Sequence, residues 1–301
     1  MLKHYRTMKQ LILIILLLCG FAAGAQNKVV SKGKKRSNTS IVNSRSSKSS
    51  AKKVISVGNA REFIKAIGSN RTIRINAGFN LTPAMIEFAA KGTIMKTDAS
   101  NPQYTNPGVY ICESWGEEKE LVFYNIHNLT IEGVHMRTAH VQTSHIGVFV
   151  MRFEECTNVK LKNLTLGHVP TGVCTGGVVD MKNCRKCTIE HCDLYGCGTY
   201  GICAERSEYC YILNSTIRDC SYGIMTLDNC YDFHFNNCKL IRNEIFDLIT
   251  VSNCSNIDFT NCEIAMNKGV LFKLDSNVTF KECKISHDAN KMGTTNYIIR
   301  R

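Results

Sequence analysis

Two stretches of this 301-residue chain gather side chains that could move protons or hold a metal. His140 and His145 fall within 137–145, and His168 and Cys174 fall within 167–177. Asp180, Tyr195, Tyr200 and Glu205 follow within a few tens of residues. Imidazole titrates near neutrality and serves as base, acid or ligand, and a phenol or carboxylate beside it widens that repertoire. The chemistry such a set would support is acid–base work on a polar substrate, or its binding. Zinc would accept these ligand types, but their spacing matches no zinc motif, so no metal is expected. Everything depends on whether the chain brings these residues together.

The elements that position them are repeats. One phrase is written four times, centred on Ile212, Phe235, Phe259 and Phe280, which are 23, 24 and 21 residues apart. It extends backwards to Ile131, Leu161 and Ile189, with intervals of 30, 28 and 23. Self-similarity at this period marks a solenoid. Within each copy apolar residues alternate with polar ones, which demands strands with one buried face. A second strand follows in each copy, as in Ile202–Ala204, Ile224–Leu227 and Leu248–Val251. Short strands, no helical period and Asn at the bends predict an all-β parallel β-helix of about 8–10 rungs over 54–301, with its regular repeats over 120–288.

Stacking the copies produces ladders. Leu129, Val159, Cys187, Cys210, Phe233, Ile257 and Val278 should form one inward column. Val134, Leu164, Cys192, Ser215, Cys238, Cys262 and Cys283 should form a second, and Ile126, Cys156, Cys184, Ser207, Cys230, Cys254 and Asp275 a third. Asn163, Asn214, Asn237 and Asn261 share a corner, with Gly133, His191 and Glu282 in its place elsewhere. Asn tolerates left-handed backbone angles and can bond to its neighbours along the axis. The 16 cysteines replace Val, Leu, Ile or Ser in these columns, so they read as free, stacked apolar fillers rather than disulfides or zinc ligands. The Asn-x-Ser/Thr sequons are by-products of the same repeat.

The flanks are of other kinds. Lys3, Arg6 and Lys9, the apolar run 11–18 and the small-x-small pattern Ala23–Ala25 predict a signal peptide over 1–25, with no transmembrane segment. Residues 26–53 are basic and Ser-rich, and are expected to be disordered. Of the 37 basic residues, 3 lie in 1–25 and 9 in 26–53 with no acidic partner, leaving 25 basic against 25 acidic residues in the remainder. The net charge of +12 therefore belongs to the flanks, and nucleic acid is not an expected partner. Asn59 should cap a helix over 60–67 that closes the first rungs, 54–120. Trp115 is either a sugar-stacking ring or a loop aromatic folded on the cap.

Residues 120–288, opened by Val57, Asn59, Phe63 and Ile73, resemble the right-handed parallel β-helix repeat proteins, the pectate-lyase-like superfamily in the broad sense. The resemblance implies an exported bacterial protein, periplasmic, secreted or at the cell surface, that meets polysaccharide. Its enzymes use calcium with a basic residue for elimination, or paired aspartates for hydrolysis. This chain carries neither pattern, so calcium enters only if it is a lyase, and no other cofactor is expected. Glu132, Lys162 and Glu190, one rung apart, read as a surface charge ladder. The expected site is instead a cleft walled by the two overlong turns, with His140, His145, His168, Asp180, Tyr195, Tyr200 and Glu205 as candidates. Three functions remain open: polysaccharide binding or processing, a non-catalytic adhesive role, and a lyase or hydrolase with an unfamiliar site.

Overall fold

The computed structural model describes residues 53–92, 94–98, 102–113, 117–169, 175–196, 199–244, 246–293 and 297–300. The expected leader, the basic segment up to 52, Trp115, Cys174 and Cys197 lie outside the described residues. The chain divides into two units, Met1–Ser49 and Ser50–Arg301, and the second is the solenoid.

One turn shows how the phrase folds. Glu208–Leu213 forms a strand, the chain bends at Asn214, and Thr216–Arg218 forms the next. A wider bend leads to Gly223–Asp228, and a tight one returns to Tyr231–Asn236 directly above the starting strand. Each turn thus contributes one strand to each of three sheets: sheet A with ten strands, sheet B with eight and sheet C with nine. The written phrase covers a sheet A strand, the Asn corner and the start of a sheet B strand. Pairing is parallel throughout except between Gly108–Glu113 and Lys119–Tyr124, which are antiparallel.

The register follows the alternation. Ile131, Leu161, Ile189, Ile212, Phe235, Phe259 and Phe280 stand in one column of sheet A, all at most 2 % exposed. Phe235 and Phe259 stack at 4.4 Å and 7°, and Phe259 and Phe280 at 4.8 Å and 11°. Rung spacing and the separation of stacked rings nearly coincide, so each ring covers the next. At the corner, Asn163, His191, Asn214, Asn237, Asn261 and Glu282 all take φ between 50° and 55°. The Asn237 amide donates to Asn214 at 2.7 Å, and Asn261 donates to Asn237 at 3.4 Å. The thirteen described cysteines are free, and many donate to carbonyls of their own or the preceding rung, as Cys156 does to Phe123 at 3.1 Å.

Two ladder assignments need correction. Val134 does not join the second column: it is 45 % exposed, and Ala139 stands there instead, immediately before His140, which pairs with Thr165. The extra residues of that turn bulge out over 134–138, after the corner rather than after the sheet B strand. Asp275 likewise gives way to Ser276, whose hydroxyl accepts from the Cys254 amide at 2.8 Å, because the last bend is shorter: Leu274 pairs with Val251 and Val278 with Ile257.

The N-terminal end is closed by two helices where the sequence suggested one. Helix α1 (Ala60–Ala66) begins at Asn59, whose side chain accepts from Glu62 N at 3.0 Å. Its Phe63 and Ile64 are fully buried. Helix α2 (Thr82–Ala90) has Pro83 in its first turn, where a missing N–H costs nothing, and buries Met85, Phe88 and Ala89. Among the described residues no helix is long and apolar enough to cross a membrane.

Candidate functional site

Sheet B carries an open groove on its outer face. Its strands run through His140–Thr143, Thr165–His168, Asp193–Tyr195 and Thr216–Arg218 in adjacent rungs. Val141, Leu166, Leu194 and Ile217 point inward, so period two turns their neighbours His140, Thr165, Asp193, Gln142, Tyr195 and Arg218 outward. The bulge at 134–138 raises Met136 and Arg137 as one wall. Together Met136, Arg137, His140, Thr165, Asp193, Tyr195 and Arg218 line a groove of about 480 Å³.

Tyr195 forms the groove's floor. A Cβ on Gly167 would lie 2.6 Å from its ring carbon Cε1 and 2.6 Å from its carbonyl oxygen, so only glycine at 167 lets the ring lie across the neighbouring rung. The hydroxyl then reaches a second rung, where the Gln142 amide donates to it. Arg218 packs 4.8 Å from the ring centroid and donates twice to Asp193, at 2.8 and 2.7 Å. Those bonds hold the guanidinium pKa above its usual range, burial working against them. Arg218 also donates to Asp219, which Arg242 binds from the next rung at 2.8 and 3.0 Å. Against the opposition of burial, both arginines hold the Asp219 carboxyl below its ordinary range. The His140 Nε2 sits 2.8 Å from the Arg137 carbonyl and donates to it. The groove thus offers an aromatic surface with fixed donors and acceptors on its rim, and its acid–base groups are already engaged.

The other expected site residues lie elsewhere. His168 is two residues after the inward Leu166 and also points in. It is 1 % exposed, and its Nε2 donates to Val148 O at 2.9 Å. His145 is half-buried at the start of the bend 144–150, and burial lowers the pKa of both imidazoles. Tyr200 belongs to sheet C, in an aromatic row with Tyr222 at 5.6 Å and Phe246 at 4.1 Å from Tyr222. Glu205 ends that strand and pairs with its neighbour Arg206. Asp180 is buried on sheet C. The overlong turns therefore do not assemble these residues into one cleft: His140 and Tyr195 share the groove, while the rest are spread over the bend and sheet C. Among the described residues no group of His, Cys, Asp and Glu could hold a metal.

Asp180 belongs to a charged trio that the sequence did not reveal. Arg152 lies 2.8 Å from Glu120 through Nη1 and 2.8 Å from Asp180 through Nε. Glu120 also accepts from Phe149 N at 2.6 Å, and Glu118 accepts from Ile146 and Gly147 N at 2.8 and 2.6 Å. These two glutamates clamp the bend 144–150 onto sheet C. Burial pushes the Glu120 carboxyl up to about 7, with Arg152 opposing it.

A pH dependence follows from Glu120. Its ordinary value is 4.5, so between that pH and about 7 the folded protein holds a proton that the unfolded chain has released. The contribution of this group is complete at low pH and is lost as pH rises through 7. His145 and His168, with lowered values, act oppositely as pH falls through 6.5. The informative quantity is thus a difference: Tm of Glu120→Gln minus Tm of wild type should rise between pH 5 and pH 8. A difference that stays flat across that range would contradict the assignment.

The match to known proteins is to a fold. The model of the right handed beta helix region matches residues 107–244 and 147–297. No curated protein matches the chain. A pectate lyase from Paenibacillus sp. 0602 superposes with a TM-score of 0.50 at 9 % identity, covering 84 % of this chain and 79 % of its own. The Dettilon tailspike protein gives 0.47 at 11 % identity, covering 71 % of this chain, which spans only 38 % of the tailspike's length. A periplasmic alginate epimerase gives 0.40 at 13 %, covering 77 % of this chain and 57 % of its own. At such identities the likeness establishes the fold alone.

Proposed function

The chain belongs to the right-handed β-helix region family, and from that premise we propose that it is an exported polysaccharide-binding protein whose ligand lies in the sheet B groove. The observation that supports this is the Tyr195 ring on the floor of an open groove, held beside Gly167 with the Arg218 guanidinium over part of it at 4.8 Å. A pyranose presents an apolar C–H face that packs on such a ring, as apolar surface does elsewhere. Its hydroxyls would meet His140 and Asp193 on the rim. Arg137 has no carboxylate partner among the described residues, and its exposed guanidinium suits an acidic sugar. The leader expected over 1–25 would deliver the protein to where such polymers occur.

Binding is favoured over catalysis because the groove's Asp193 is committed to Arg218 and its His140 to a backbone carbonyl. The carboxyl that burial pushes up to about 7, Glu120, lies on another sheet, buried and bonded to the Phe149 amide. Titration calorimetry of the full chain with polygalacturonate and alginate tests the reading. Tyr195→Ala should weaken the binding about tenfold or more, equivalent to roughly 1.4 kcal/mol, with little change in melting. Unchanged affinity in the variant, or no binding of either polymer, would overturn it.

A further inference from the structure

Sheet A presents a second, different surface. On three successive rungs its outer face carries Glu208 and Tyr211, then Tyr231 and His234, then Asp258. Tyr211 is 40 % exposed and Tyr231 44 %, and neither hydroxyl has a hydrogen-bond partner among the described residues. The Tyr211 and His234 rings stack at 5.1 Å and 25°, and Tyr209 meets Tyr231 edge-on at 5.7 Å. Arg185 lies 5.1 Å over Tyr209.

Cross-rung aromatic pairs stabilise a sheet, and that alone would account for rings in contact. The inward phenylalanine column shows what a purely structural row looks like here: parallel rings with both faces covered and none exposed. The outer row is built differently, leaving ring surface and hydroxyls in solvent on adjacent rungs. Its charges are spoken for. Arg185 donates to Glu208 at 2.8 Å, and His234 Nδ1 donates to Asp258, whose other oxygen accepts from Thr260 at 3.4 Å. No cation of this cluster is left to recruit an acidic ligand, in contrast to Arg137 in the sheet B groove. What remains suits an uncharged ligand with apolar faces and many hydroxyls. The spacing of roughly 4.8 Å between rungs is close to the length of one sugar unit in an extended glycan, so successive sugars would meet the exposed edges and hydroxyls of rings on successive rungs.

We propose that the Tyr211–Tyr231–His234 face of sheet A is a second glycan site, taking a neutral, extended oligosaccharide along the solenoid axis. It is independent of the sheet B groove. The test uses the full chain with cellohexaose, mannohexaose and laminarihexaose, followed by ligand-observed NMR and calorimetry. At least one of these should bind to wild type and to Tyr195→Ala equally. The Tyr211→Ala, Tyr231→Ala double variant should lose tenfold or more affinity while keeping its circular dichroism and its polygalacturonate binding. The proposal is overturned if none of the three binds, or if the double variant binds as wild type does. It is overturned too if sedimentation shows a wild-type dimer that the double variant abolishes, since the face would then serve a second copy of the chain.

Discussion

Replacing Arg152 with methionine should destabilise the solenoid by about 3 kcal/mol or more, a large loss for an outward-facing residue. The guanidinium is the only group within ion-pairing distance of both Glu120 and Asp180 among the described residues, and those carboxylates have side chains only 4 % and 5 % exposed. Breaking a buried pair from one side leaves an uncompensated charge and typically costs 3–5 kcal/mol. Glu120 would escape part of that cost by taking up a proton, its carboxyl already standing near 7. Urea unfolding at pH 8 gives the number, and repeating it at pH 5 should shrink the loss. The combined Glu120→Gln, Arg152→Met, Asp180→Asn variant removes these three charges together, leaving only Glu154, 4.0 Å from Arg152, and should recover part of the stability. A loss below about 1 kcal/mol for Arg152→Met would mean that the trio contributes nothing net.

Phe259→Ala should cost a similar amount, about 3–5 kcal/mol, by a different physical route. Its ring is the middle of three that stack along the axis, fully buried and covered on both faces. Removing it leaves a cavity that neighbouring rungs cannot close, because each is held in register by parallel pairing on both sides. Solenoid stability is largely a sum of nearest-neighbour terms, so the damage should stay local. Hydrogen exchange should speed up in Tyr231–Asn236, Ser255–Thr260 and Val278–Lys281 and change little in Leu129–Gly133. Uniform acceleration along the whole chain would show instead that the solenoid opens as a single unit.

The scaffold was readable because one physical rule repeats. Apolar residues two apart mark an inward face, and Asn at a fixed offset marks the corner, so the columns through Phe235 and Asn237 follow from spacing alone. The rule failed where a turn changes length. Gly133 and Val134 imitate Asn163 and Leu164 in sequence, yet the five residues of the bulge move the true inward position to Ala139. Helix α2 and the antiparallel pairing of Gly108–Glu113 belong to the cap, where no repeat exists to be recognised.

The groove was half readable for the same reason. Parity along a strand puts His140 and Tyr195 outside, next to Val141 and Leu194, and it puts His168 inside, two residues after Leu166. Gathering all the histidines into one cleft overlooked that parity. Gln142, Asp193 and Arg218 needed the sheet B register, which the sequence blurs by attaching each sheet B strand to the phrase before it. The trio of Glu120, Arg152 and Asp180 needed the cap's pairing with sheet C, for which no spacing signal exists.

The position of a bound sugar tests the central claim most directly. A crystal structure of the chain with an acidic oligosaccharide, such as hexagalacturonate, should show a pyranose against the Tyr195 ring, with its carboxylate toward Arg137 and hydroxyls toward His140 and Asp193. Density for the sugar over Tyr200 and Tyr222 on sheet C, with the Tyr195 groove empty, would contradict it.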